Sequence, residues 1–105
     1  MKLLYVTCLR EDEHVAAGLF KKAQIDVFSA SQTTGYKVHH AIGAGAGATE
    51  EQNGEMDKFD SMFLFSFTTA AKATAVLSLA KKHNFNQRPV YPIRVFIVPV
   101  ESTSY

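Results

Sequence analysis

Two stretches of this chain, residues 59–67 (FDSMFLFSF) and 93–100 (IRVFIVPV), are apolar on both alternating sides. Successive side chains of an extended strand point to opposite faces, so Phe59, Phe63, Phe65 and Phe67 share one face with Ser61. Met62 and Leu64 take the other, among Asp60 and Ser66. In the last stretch Val95 and Ile97 oppose Phe96 and Val98. A sheet with one wet face alternates cleanly between apolar and polar residues. Here the alternation fails, so both faces of the sheet are expected to be covered, the second by further copies of the chain.

The remaining elements follow from periodicity. Residues 3–8 form an apolar run that ends at Glu11, Asp12 and Glu13, acids that suit the positive end of a helix. Val15, Leu19 and Ala23 then recur every fourth residue on one helical face, and Lys21 and Lys22 close it. Gly18 within this helix costs about 1 kcal/mol relative to alanine, which predicts close packing there. Residues 25–38 read as a long second strand. Thr68 or Thr69 is placed to cap a second helix with Ala73, Val76, Leu77 and Ala80 on one face. Lys81, Lys82 and His83 close that helix, with Asn84 expected in the left-handed position after it. Residues 85–92 are then a short connection to the last strand. Pro99 lacks an amide donor and belongs at an edge or near the strand end.

Strand, helix, strand, strand, helix, strand is the split βαβ order. It predicts an α+β, ferredoxin-like βαββαβ domain over residues 1–105, with a four-stranded antiparallel sheet and two helices on one face. Between strands two and three lies residues 39–57 (HHAIGAGAGATEEQNGEMD), with Gly43, Gly45, Gly47 and Gly54, four of the six glycines. Connections this long in a compact domain are usually functional or disordered. Residues His40, Gly43, Gly45, Gly47 and Glu50 are therefore candidates for a partner-binding loop. Gly43-Ala44-Gly45-Ala46-Gly47 lacks the Lys-Ser/Thr ending of a phosphate loop, and no helix period begins after it.

Charge excludes some functions. Eleven Lys or Arg stand against ten Asp or Glu, so there is no basic excess for nucleic acid or anionic lipid. No run reaches the length of a membrane span, so no direct membrane insertion is expected. The N-terminal run reads as a strand rather than a secretory signal. Cys8, the single cysteine, has no disulfide partner in the chain, which fits a reducing cytosol, and the expected location is cytoplasmic. No nucleophile elbow, paired-carboxylate or metalloprotease pattern is present, so the expectation is a binding protein and not an enzyme.

The candidate ligand residues are Gly35, Tyr36, Lys37, Arg88 and Arg94. Arginine forks match carboxylate and phosphate geometry, and Arg94 stands inside an otherwise apolar strand. An ion pair between subunits, with Glu101 or Asp60, is the plainer alternative for it. Tyr36 and Tyr91 supply an aromatic wall or serve as core residues. His39 and His40 are weak metal candidates, since adjacent strand residues face opposite ways.

This element order, the long loop between strands two and three, and the closing run Pro92-Ile93-Arg94-Val95-Phe96-Ile97-Val98-Pro99-Val100-Glu101 resemble the PII-like signalling proteins. The first strand, ending near Val6-Thr7-Cys8, is also similar to that of the CutA-like proteins associated with divalent cation tolerance. The resemblance implies a homotrimer with its sheets facing inward and ligand sites in the clefts between subunits. It implies that residues 39–57 correspond to the T-loop, which engages a partner protein, and that 85–92 lines the same cleft. A nucleotide or small anion is the implied ligand, and a divalent metal the CutA-like alternative. Nucleotide-binding PII proteins carry a glycine-rich, lysine-bearing segment before the last strand, whereas residues 84–92 here contain no glycine. A third possibility is a small ferredoxin-like enzyme, such as a dimeric cofactor-free oxygenase.

Overall fold

A computed structural model describes residues 1–40 and 55–104. The chain runs β1 (Lys2–Leu9), a 3-10 turn (Arg10–Asp12), α1 (Glu13–Lys22), β2 (Ser29–Val38), β3 (Met56–Thr68), α2 (Ala70–Gln87) and β4 (Arg94–Pro99). The four strands form one antiparallel sheet in the order β2-β3-β1-β4. This is the ferredoxin-like arrangement that the element order predicts. Among the described residues no helix is long and apolar enough to cross a membrane.

Register explains why the sheet has one dry and one open face. Leu4, Val6 and Cys8 of β1 stand beside Ser66, Leu64 and Met62 of β3, and all six are buried beneath the helices. Val95 and Ile97 of β4 continue that row opposite Val6 and Leu4. From above, Ala16, Leu19 and Phe20 of α1 and Ala73, Val76 and Ala80 of α2 close the core. Ser66, the one buried polar side chain among the described residues, donates to the Val27 carbonyl at 2.8 Å, so it is satisfied. The other face carries Tyr5, Phe63, Phe65, Phe67, Phe96 and Val98. Tyr5 stacks on Phe63 at 5.4 Å and meets Phe96 at 6.5 Å, and Phe65 lies 6.2 Å from Phe63. Phe67 keeps 56% of its surface exposed and Phe96 49% in the single chain.

Several boundaries depart from expectation. β2 begins at Ser29 rather than 25, because Ile25 turns inward to the core and residue 27 is held by Ser66. β3 begins at Met56, so Met56 and Asp57 belong to a strand and not to the loop. Thr69 caps α2, accepting from the Lys72 amide at 3.2 Å. The helix does not stop at His83, however. Asn84 remains helical because its side chain is bound elsewhere: Nδ2 donates to the Ile93 carbonyl at 2.7 Å, and Oδ1 accepts from the Ile93 amide at 3.0 Å. Arg88 takes the left-handed position instead, at φ 45°, and Pro89 ends the helix. The connection to β4 is correspondingly shorter than residues 85–92. Pro99 is the last residue of an edge strand, where a missing donor costs no ladder bond. Gly18 is not a close-packing position, since nothing lies within 4 Å of where its Cβ would stand.

Candidate functional site

The site arises from unequal strand lengths. β3 has 13 residues and β1 has 8, and β1 pairs only with Ser61–Thr68. The other end of β3 pairs with β2 alone, with Gly35 opposite Phe59, Tyr36 opposite Lys58 and Lys37 opposite Asp57. A two-stranded ribbon therefore overhangs the sheet. Where it leaves, it meets the end of β1 and the approach to β4, and a cleft of about 400 Å³ opens between them.

Gly35, Tyr36 and Lys37 line the cleft from β2, Phe59 and Ser61 from β3, Thr7, Cys8 and Leu9 from β1, and Tyr91, Pro92 and Arg94 from the last connection and β4. Four of the five residues singled out for ligand binding are thus brought together. Arg88 is not in the lining, and its guanidinium lies 5.7 Å from the centre of the Phe85 ring. The lining contains no carboxylate among the described residues. Among the described residues neither Lys37 nor Arg94 forms an ion pair. Both are exposed.

Phe59 and Gly35 are matched. A Cβ at Gly35 would overlap the Phe59 ring, so this ring can lie flat across the strand only because the position is glycine. Phe59 in turn stacks on Tyr91 at 5.8 Å, which fixes one wall. Lys58 sits 5.8 Å from the Tyr36 ring on the ribbon's other side. Ser61 donates to the Cys8 carbonyl at 3.1 Å and joins the floor to β3. Phe59, Ser61 and Thr7 were not legible as site residues. They come together through strand register, which has no local sequence signal.

Cys8 is a poor nucleophile. Burial, followed by the charges of Asp12 and Glu13, pushes its thiol up to about 11 from 9.0. Iodoacetamide at pH 8 should accordingly label the folded protein about a hundredfold more slowly than the urea-unfolded chain, the thiolate fraction falling tenfold per unit. Equal rates would show that the thiol is open and ionised.

At the far end of the ribbon the His39 amide donates to the Glu55 carbonyl at 2.8 Å, and its Nε2 meets Asp57 Oδ2 at 2.5 Å. His40 follows, exposed. Among the described residues no group of three His, Cys, Asp or Glu side chains is disposed to hold a metal. Gly43, Gly45, Gly47 and Glu50 lie outside the described residues.

No family model matches the chain, and no curated protein matches it in sequence. Solved structures do match in shape. Bacillus subtilis GlnK in complex with ATP superposes with a TM-score of 0.66 at 11% identity, over 92% of this chain and 83% of that one. A Thermus thermophilus protein described as PII-like and signalling gives 0.58 at 12%, over 91% and 82%. A point variant of Pyrococcus horikoshii CutA1 gives 0.60 at 13%, over 99% and 87%. At these identities what is shared is the three-dimensional arrangement, and on that arrangement the chain has the fold of the PII-like and CutA proteins.

Proposed function

We propose that this protein is a trimeric small-ligand sensor that binds an anionic metabolite or nucleotide between subunits and signals to a partner protein through residues 39–57. The observation that carries this reading is the meeting of Lys37 and Arg94 in a cleft whose lining, among the described residues, holds no carboxylate. The cleft lies beside an apolar sheet face that a lone subunit leaves uncovered. Three such faces turned inward would bury one another's aromatic residues, as the PII-like resemblance implies, and would set each cleft against a neighbouring subunit. The two cations then hold the anionic group, and the stacked rings of Phe59 and Tyr91 flank the rest of the ligand.

Coupling to the loop follows from the ribbon. Gly35, Tyr36 and Lys37 line the cleft, and the same two strands lead directly into residues 39–57. A ligand that favours one ribbon position over another shifts the loop population by its difference in affinity for the two. His40, Gly43, Gly45, Gly47 and Glu50 would be read by the partner, in the cytoplasm.

The test is a thermal-shift panel on metal-stripped protein, covering adenine nucleotides, cyclic nucleotides, 2-oxoglutarate, bicarbonate, phosphate, copper and zinc. An anion at a hundred times its Kd should stabilise by about 2.7 kcal/mol. That corresponds to a Tm rise of about 10 °C or more. Lys37→Gln and Arg94→Gln should each remove most of the rise, and deletion of residues 41–54 should abolish partner capture. An anion shift indifferent to both substitutions, or no anion shift at all, overturns the reading. A shift confined to metals and lost in His39→Ala/His40→Ala would transfer it to a CutA-like metal-binding role.

A further inference from the structure

The helices carry a second concavity on the opposite side of the sheet. A groove of about 440 Å³ lies between α1 and α2. His14, Val15, Gly18, Leu19 and Lys22 line it from one stripe of α1, and Leu79, Lys82, His83, Asn86 and Gln87 from one stripe of α2. Both sets recur at intervals of three and four, so each presents a continuous edge. Gly18 leaves the middle of the α1 wall bare: among the described residues nothing stands within 4 Å of where its Cβ would be. This glycine lowers helix propensity and packs against nothing, so the space it leaves is the consequence that remains to be explained.

The charge around this space is one-sided. Only Glu13 of the ten acidic residues lies in α1 or α2. The same helices carry Lys21, Lys22, Lys72, Lys81 and Lys82. Among the described residues the groove lining itself holds Lys22, Lys82, two imidazoles and two carboxamides, with no acid. Its apolar floor is confined to Val15, Leu19 and Leu79.

We propose that this groove is a ligand site separate from the cleft of Lys37 and Arg94, and that it takes a small phosphorylated anion. Lys22 and Lys82 supply the charge from opposite walls, and His83, Asn86 and Gln87 supply N–H donors to phosphate oxygens. The volume falls within the range of about 300–1,000 Å³ usual for small-ligand pockets. A docked partner helix fits less well. α1 has ten residues, a wall of about 15 Å at 1.5 Å per residue, too short to seat a helix of several turns.

Pyrophosphate is the probe, titrated into the isotopically labelled full chain, with the Gly18, His83 and Asn86 amide resonances followed by NMR and affinity by calorimetry. The expected result is saturable movement of those resonances. Affinity should fall about tenfold or more, equivalent to 1.4 kcal/mol, in Lys22→Gln/Lys82→Gln. Gly18→Leu, which fills the groove, should abolish binding while the protein stays folded. The Gly18, His83 and Asn86 resonances report this groove and the Gly35 and Lys37 resonances report the intersubunit cleft, which keeps the outcome here separate from the fate of that site. Movement confined to Gly35, Lys37 and Arg94 overturns the assignment, as does unchanged affinity in the double variant or no response at millimolar pyrophosphate. Displacement of the same resonances by an acidic amphipathic peptide of Glu, Ala and Leu, with none by pyrophosphate, would overturn it in favour of a peptide.

Discussion

Replacing Phe65 with glutamate should turn an assembled protein into monomers. Phe65 stands at the centre of the open sheet face, opposite Tyr5 and between Phe63 and Phe67. If the faces close on one another, each copy of Phe65 contributes about 1.5–3 kcal/mol of apolar burial to the assembly. A carboxylate there forfeits this and adds a desolvation cost of several kcal/mol per ion. In the proposed trimer three copies multiply the effect. The helical side of the sheet, with Leu64 and Met62, is untouched, so the monomer should remain folded. Size-exclusion chromatography with light scattering, with circular dichroism for the fold, decides it. A wild type that is already monomeric, or a variant that remains trimeric, would show that this face does not hold the assembly together.

The second large effect should come from Asn84→Ala. This one carboxamide satisfies both the amide and the carbonyl of Ile93, which is itself buried, and so ties the last turns of α2 to the start of β4. Removing it leaves two backbone groups without partners, at about 1–3 kcal/mol each. At roughly 4–8 °C per kcal/mol for a domain near this size, the Tm should fall by about 8 °C or more at fixed protein concentration. Asn84→Asp keeps the acceptor and loses the donor, and should lie between the two. A drop under about 3 °C for the alanine variant would mean that water replaces the side chain at little cost. Because β4 brings Arg94 to the cleft, the same variant should weaken anion binding as well.

Much of the architecture was legible because it rests on short-range periodicity. The alternation in residues 59–67 implied a strand with two apolar faces, and β3 buries Met62 and Leu64 on one side while Phe63, Phe65 and Phe67 stand on the other. Thr69 as a cap, Lys22 at a helix end and Pro99 at a strand end are local effects of backbone donors and dipoles. Asn84 shows where such reasoning fails. Its residue type favours the left-handed turn after a helix, but a partner nine residues on, Ile93, offers two hydrogen bonds and keeps it helical. Arg88, with no local preference for that conformation, takes the turn, and so does not join Arg94 at the cleft. Gly18 misled in a similar way. Its cost in helix propensity is a local quantity, whereas what stands opposite depends on how α1 crosses α2.

By itself the sequence determined the order of the elements, which face of each strand is apolar, the excess of exposed apolar surface, and the near balance of charge. All of these are properties of neighbours along the chain. Only the tertiary structure decided that Lys37 and Arg94, far apart in the sequence, border one cleft, that Phe59 lies across Gly35, and that two helical stripes enclose a groove with Lys22 and Lys82 on opposite walls. Those juxtapositions depend on strand register and on the overhang of β3 beyond β1. A shift of one residue in register would turn every side chain to the other face, and no short stretch of the sequence encodes that choice.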